Sequence, residues 1–425
     1  MGKFTYIKNA AQIVTVSGSN AQPKKGKSMS ELYVIHQGGI VIEDDRIVFV
    51  GADAEAQDYV DGLEGTPYLI DAAGKTVTPG LVDPHTHLVF AGSREQELEM
   101  RLNGATYIEI LQNGGGILYS TTQTRAATEE QLFAESKKRL DNFLKHGVTT
   151  LEAKSGYGLT VEDELKQLRV ARALNESHAI DLVSTFMGAH AVPLEYKANP
   201  EEFIRIVIEE MLPKVAEEKL AVFCDVFCER GVFTVEQSER ILEAGKKWGL
   251  IPKIHADEIV SFGGAELAAR IGAISADHLL KASDQGIEMM AKAGVVAVLL
   301  PGTAFFLMEE PANARKMIES GVAVALSTDR NPGSSPTESL PLIMNLACLN
   351  MRMTSAEVIT ACTINAAYAI GRADAIGSIE VGKKADIVLF NAPNYVFLQY
   401  NFGVNLVDTV LKNGTVVVEG GVLRG

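Results

Sequence analysis

The chain has 425 residues, 47% apolar and 22% charged, an ordinary globular composition with enough length for two or three domains and a core of native size. A net charge of -15 excludes nucleic acid and anionic membrane surfaces as expected partners. It does not exclude a small anionic substrate, because one arginine in a pocket outweighs distant, screened surface charge.

In chain order, residues 1–78 read as short strands and turns with no useful helix-period segment. Residues 39–50 predict a hairpin with an acidic turn, and 17–30, polar with Gly, Pro and Lys, an exposed loop. From about residue 80 the character changes. Apolar runs at 81–87, 148–153, 182–190, 222–228, 251–255, 274–278, 295–300 and 322–328 alternate with amphipathic stretches. Thr160 opens one such stretch with a capping-box-like start, and Leu165, Leu168, Ala171 and Leu174 keep one apolar face. Residues 201–219, 235–247 and 265–271 behave similarly, and 355–370 is helical again. β character returns at 385–390 and in the hairpin 410–418, whose Asn413-Gly414 turn is the strongest short-range hairpin signal.

Eight strand-helix units predict an α/β protein built on a (β/α)8 barrel, residues 79–372. An open doubly wound sheet is the competing architecture. The barrel is preferred because polar, chemistry-capable residues follow nearly every run, as a closed ring of strand ends requires. Neither flank has enough strands alone, so 1–78 and 373–425 are expected to form one small β-sandwich domain together.

The first run ends in Asp83-Pro84-His85-Thr86-His87. Residues two apart in an extended segment point the same way, so two imidazoles aim at one point, which suits a metal ion. The later strand ends supply His190, His255, Glu258, His278 and Asp329. Five of the chain's eight histidines thus fall at one mouth; His36, His146 and His178 are read as structural or exposed. We assign His85, His87, His255 and Asp329 to zinc or iron with an open position for water, whose pKa the metal lowers towards ~7. Asp329 can take the proton as that water attacks. His278 is a further ligand or polarises a substrate carbonyl. Glu258 binds ring nitrogens or shuttles a proton. Arg94 offers a fork for a carboxylate, and Tyr157, between Gly156 and Gly158, is a second substrate holder. Gly114-Gly115-Gly116 is either a lid over the mouth or a flexible loop.

The cysteines Cys224, Cys228, Cys348 and Cys362 form no C-x-x-C pair, and two of them lie in an apolar run. Buried free thiols and a reducing compartment are expected. Residues 1–6 show no apolar signal core and no myristoylation site, and the aliphatic run 295–300 is too short to cross a bilayer. A cytoplasmic protein without membrane contact is expected.

Residues 79–87, then His255, His278 and Thr328-Asp329, resemble the amidohydrolase superfamily over essentially the whole chain. Phe90-Ala91-Gly92-Ser93-Arg94, Asn113-Gly114-Gly115-Gly116-Ile117, Lys154-Ser155-Gly156-Tyr157-Gly158, Met187-Gly188-Ala189-His190, His255-Ala256-Asp257-Glu258 and 327–333 are similar to its ring-opening branch in histidine degradation. That resemblance implies hydrolysis of the small anionic heterocycle 4-imidazolone-5-propanoate to N-formimidoyl-L-glutamate, with attack of the metal-bound water on the ring carbonyl and Asp329 as base. It implies one Zn2+ or Fe3+ per subunit and a homodimer. It implies His85, His87, His255 and Asp329 as ligands, and Arg94, Tyr157, His190, Glu258, Asn331, Gly333 and Ser334 as substrate contacts. Binuclear members carry a bridging Lys or Glu on the fourth strand; 222–230 has no Lys but does have Glu229, and one metal is favoured. A deaminase of a nitrogen heterocycle is the alternative, and a scaffold without metal a more distant one.

Overall fold

Alternating, partly apolar residues in the first eighty positions pair as strands. In the computed structural model, which describes residues 4–18, 22–105, 109 and 115–424, these are β1 (Phe4–Val14), β2 (Val34–Glu43), β3 (Arg46–Ala52), β4 (Tyr68–Asp71) and β5 (Thr76–Pro79). β2 and β3 form the expected hairpin, turning at Asp44, whose φ of 51° an Asp tolerates. Two expectations fail here. Asp53–Asp61 is a helix that lays Ala56 and Val60 on Tyr6 and Val41; its other positions are polar, so it shows no apolar stripe to read. The stretch 17–30 is not simply exposed: Lys24 and Met29 are buried, bonded through their backbones to Asn365 and Thr360.

The eight apolar runs then become β6 (Leu81–Asp83), β7 (Val148–Lys154), β8 (Asp181–Ala189), β9 (Phe223–Cys228), β10 (Ile251–Ala256), β11 (Ser275–His278), β12 (Val296–Leu299) and β13 (Val324–Leu326). They pair in chain order, all parallel, into a nearly closed barrel. β6 stops at Asp83 because Pro84 has no N–H to donate, so His85 and His87 leave the strand immediately above it.

Helices cover the outside. Thr160 accepts the Asp163 N–H at 3.1 Å to start Val161–Ser177, which buries Leu165, Leu168, Ala171 and Leu174 as expected. Thr234 caps Val235–Lys247 with Gln237 in a capping box. The expected helix 201–219 is interrupted: Pro213 cannot donate to the preceding turn, and Val207–Met211 widens to a π-helical turn there. The expected helix 355–370 is likewise two, Ser355–Ala361 and Ile364–Ala369.

The chain's end returns as β14 (Ile387–Phe390), β15 (Val407–Lys412), β16 (Thr415–Glu419) and β17 (Val422–Leu423). Asn413 and Gly414 take φ of 48° and 74° in the β15–β16 turn, the left-handed pair a two-residue hairpin needs. β14 pairs with β5, joining both chain ends in one nine-stranded sheet. The sheet curls on itself, Arg46 bridging to Lys384, over a core that includes Ile7, Ile40, Val77, Ile387 and Leu411. Its seam with the barrel holds Lys412, whose ammonium donates to Asp386 at 2.6 Å and to Asp181, at the foot of β8, at 2.8 Å. Lys412 and Asp386 are both buried, so Lys412→Met leaves a carboxylate unpaired. It should cost about 3–5 kcal/mol in chemical denaturation; a loss within ~0.5 kcal/mol would show that this pair does not hold the seam.

Candidate metal centre

The mouth of the barrel gathers the residues that the strand-end reading singled out. Centroid to centroid, His85 lies 4.5 Å from His255, 5.4 Å from His278 and 5.5 Å from His87. Asp329 Oδ1 lies 3.4 Å from His85 Nε2 and 3.8 Å from His87 Nε2. Two overlapping sets, His85–His87–His255 and His85–His278–Asp329, each bring three ligand atoms within 4.8 Å of one another.

Carboxylates below the cluster set the imidazole orientation. Asp277 accepts from His85 Nδ1 at 2.6 Å and Asp225 from His255 Nδ1 at 3.1 Å. A carboxylate only accepts, so Nδ1 carries the proton and Nε2 presents a lone pair. Both Nε2 atoms are buried without a hydrogen-bond partner. Two buried, electron-rich imidazole nitrogens facing a carboxylate fit a cation, so the residues present suit the metal. Burial first, and then neighbouring cations and imidazoles, hold His85, His87 and His278 well below the usual histidine range, which keeps them neutral.

Deeper lies a charge network that sequence reasoning did not find. Lys154 donates to Asp225 at 2.7 Å, Glu152 at 2.9 Å and Asp277 at 3.3 Å. Lys253 donates to Glu152 at 2.7 Å and to the Pro84 carbonyl at 3.0 Å. All five side chains are buried in the barrel. Burial works against the Lys154 ammonium, but Asp225, Glu152 and Asp277 outweigh it and raise its pKa. Burial likewise opposes the Asp225 carboxylate, and His255 with Lys154 still holds it well below the usual range. The available signal was charge at alternate positions of apolar strands, Glu152 and Lys154, Lys253 and His255.

Buried carboxylates also shape the rim. Glu164 accepts from the amides of Gly156, Gly158 and Leu159 at 2.7–3.0 Å and so folds the loop around Tyr157. Gly156, at φ +113°, is needed there, because a Cβ would sit 2.8 Å from His190 Nδ1. Asp257 gathers the amides of Phe262, Gly263, Gly264 and Ala265. Glu229 is spent on the amides of Arg230 and Ile259, each at 2.8 Å, and so serves the rim rather than the cation site.

The remaining substrate candidates also meet at this mouth. Tyr157 is buried, 5.6 Å from His87 and 5.3 Å from His190, centroid to centroid. His190 stacks on His87 at 4.8 Å and donates from Nδ1 to the Gly156 carbonyl at 3.0 Å. Burial pushes it down to about 3, so it is neutral, with a lone pair on Nε2. Glu258 Oε1 lies 3.5 Å from His278 Nδ1; burial, then Asp329 and Glu229, push Glu258 up to about 8. Arg94 is held by Glu97 through Nε and Nη2 at 2.9 and 2.8 Å, and its Nη1 crosses the face of Gly333, where a Cβ would stand 2.0 Å away. Asn331 is saturated: it donates to Asp329 O and Ser334 Oγ and accepts from the amides of Gly333 and Ser334. It builds the loop that carries Asp329. Of the glycine run, Gly114 lies outside the described residues, and the Gly116 amide donates to Glu97 at 2.7 Å.

Comparison with known proteins agrees with this architecture. The amidohydrolase family model matches residues 76–417. An imidazolonepropionase of Shouchella clausii is 67% identical over 423 residues, covering 100% of this chain and 95% of that one. One from Brevibacillus brevis is 65% identical, covering 99% of both. Among solved structures, an adenosine deaminase from Xanthomonas campestris with bound zinc superposes with a TM-score of 0.72 at 17% identity, covering 99% of this chain and 94% of that one. An Aspergillus niger ochratoxinase does so at 0.70 and 18%, covering 99% and 96%. Those two likenesses bear on the fold alone.

The chain therefore belongs to the amidohydrolase family. Within that family its place is among the imidazolonepropionases, relatives that match nearly end to end. The heterocycle-deaminase alternative is not favoured.

If Asp277 and Asp225 orient the ligands, Asp277→Asn and Asp225→Asn should each weaken Zn2+ binding about 10–100-fold in a chelator competition, with the far-ultraviolet spectrum unchanged. Unaltered affinity in both would remove the carboxylates from the metal site.

Proposed function

We propose that this chain hydrolyses 4-imidazolone-5-propanoate to N-formimidoyl-L-glutamate, with His85, His87, His255 and Asp329 holding one zinc or iron ion. The observation that carries it is the pair of unpartnered Nε2 lone pairs on His85 and His255 opposite Asp329, beside an arginine that can anchor a carboxylate. When bound, the ion would supply a water acidic enough to ionise at neutral pH and a Lewis acid for the ring carbonyl.

The chain's own groups do the rest. Asp329 Oδ2 accepts from Thr303 at 2.6 Å, which fixes the carboxylate with Oδ1 towards the histidines. There it takes the proton of the attacking water. The water oxygen bonds to the carbonyl carbon, the amide C–N bond breaks, and the ring nitrogen takes up a proton. Glu258, pushed up to about 8, is protonated at neutral pH and can supply it. His278, 5.4 Å from His85 centroid to centroid, is the group that polarises the carbonyl oxygen. Arg94 anchors the propanoate tail, with Gly333 leaving room for the guanidinium. His190 presents a lone pair, so its part is to accept a ring N–H. Tyr157, Ser334 and the loop braced by Asn331 complete the substrate wall.

The unit 1–78 with 373–425 is proposed as the composite β-sandwich domain and 79–372 as the catalytic barrel, supported by the sheet that joins the chain ends. A homodimer is proposed on the exposed apolar side chains Val396, Tyr400, Phe402 and Val404, which a second copy could cover. Among the described residues no helix is long and apolar enough to cross a membrane, and the four cysteines are free, which supports a reducing, cytoplasmic location.

Supplying 4-imidazolone-5-propanoate should abolish its ring absorbance without releasing ammonia; ammonia released with the ring intact would overturn the reading. Asp329→Asn should lower kcat about 10²–10⁴-fold with the fold intact, and near-normal turnover would remove it as base. Arg94→Ala should raise KM for the anionic substrate more than for an analogue without the carboxylate. Equal losses on the two would rule out the anchor.

A further inference from the structure

Asp83 stands in the first-strand motif, and the chemistry above gives it no task. Its position does. Every neighbouring pair from β6 to β13 shares a backbone ladder, but β13 and β6, which must meet to close the barrel, are the two ends of that order. Among the described residues the backbone contacts across this seam are the Thr86–Arg330 bridge and the His87 amide donating to the Arg330 carbonyl at 2.9 Å. The seam separates His85 and His87 from Asp329, so whatever sets its offset also sets theirs.

Asp83 spans it. Its carboxylate is fully buried, accepting from the Thr328 amide at 3.2 Å and the Thr328 hydroxyl at 2.7 Å, and it meets the Ser327 hydroxyl. The Ser327 oxygen in turn lies 2.7 Å from the His85 carbonyl. One side chain thus ties the residue before Asp329 to the backbone of His85. The tie has work to do, because Asp329 is a non-glycine residue at φ +51°, a conformation that persists only when its surroundings over-determine it. The Ser335 hydroxyl, donating to the Thr328 carbonyl at 2.6 Å, braces the same peptide from the far side.

We propose that Asp83 is a positioning residue: it pins the end of β6, which leads into His85 and His87, to the segment after β13 that leads into Asp329, and so fixes the separation of the ligands across the barrel's unpaired seam. The inference rests on the cation site proposed above. A misplacement of about 1 Å at such a site is enough to lose most of its function.

The test titrates Co2+ into metal-free full-length protein and reads affinity by chelator competition and ligand geometry by the visible absorption of the bound ion. Asp83→Ala should bind Co2+ at least ten-fold more weakly and with an altered visible spectrum. Ser327→Ala should shift both readings the same way by less, and Asp83→Asn, which keeps one oxygen for the Thr328 amide, should lie nearer the wild type. Wild-type affinity and spectrum in a folded Asp83→Ala protein overturn the proposal, even if its melting temperature falls, because that is the signature of a purely structural staple. Should Asp83→Ala not fold, Ser327→Ala decides on the same two readings, and wild-type values there overturn it. Failure of the unmutated protein to bind Co2+ instead sinks the cation site itself.

Discussion

The barrel buries charge directly beneath its mouth, and the centre above depends on how that charge is balanced. Glu152, Asp225 and Asp277 carry three negative charges, Lys154 and Lys253 two positive ones, and all are removed from water. Unpaired, any of them would be prohibitive to bury; removal of one partner from such a pair typically costs about 3–5 kcal/mol. Lys154 is the hinge of the set because its ammonium reaches three carboxylates, and two of those orient His85 and His255. The network is left with one surplus negative charge under the cluster of imidazoles. The Asp329 carboxylate adds a second, so the same residues that would destabilise an empty apolar barrel favour the multivalent cation proposed above them.

Backbone strain is found at the same end. Asp257, His278, Leu279 and Asp329 all take φ between 51° and 75°, where side-chain-bearing residues are uncommon. Each lies at the end of a barrel strand, where the chain must turn sharply and still aim a side chain inward. The braces are specific: Asp257 folds its own loop through four amides, and Asn331 and Thr303 hold Asp329. Glu164 does the same for the loop of Tyr157 without touching the centre. Rigid strands fix where the loops start, and buried acids fix where they go.

Much of this was legible in the sequence. Strands buried on both faces read as apolar runs, and capped helices such as Val161–Ser177 announce themselves, so eight units in alternation left few architectures. Convergence at one mouth then followed from topology, which is why His85, His87, His255, His278 and Asp329 could be grouped although they span most of the chain. What stayed hidden did so for separate physical reasons. Glu152, Lys253 and Asp225 interrupt apolar strands, and a lone charge in a strand does not say whether it faces a paired interior or the solvent. The helix Asp53–Asp61 buries too few residues to show a period. Pro213 marked a break within 201–219, but a widened turn keeps the helix direction and so mimics continuity. The bracing duty of Asn331 depends on four contacts made only after the loop closes.

The histidines show how one residue type is divided among several tasks. For His85, His255 and His190, what Nδ1 meets sets what Nε2 presents to the mouth. His85 and His255 meet carboxylates, which fix the tautomer and enrich the far nitrogen, the property a cation selects. His190 meets a backbone carbonyl, which fixes the same tautomer without the added charge, giving a neutral acceptor suited to an N–H of a substrate. His278 has its Nδ1 3.5 Å from Glu258 Oε1 and without a hydrogen-bond partner, so no neighbour fixes its tautomer as Asp277 and Asp225 fix those of His85 and His255. The proposed ligands and the proposed substrate acceptor are thus the same side-chain type in different settings. The difference between them comes from Asp277, Asp225 and Gly156, residues set by the barrel register and by the folding of its loops rather than by the histidines themselves.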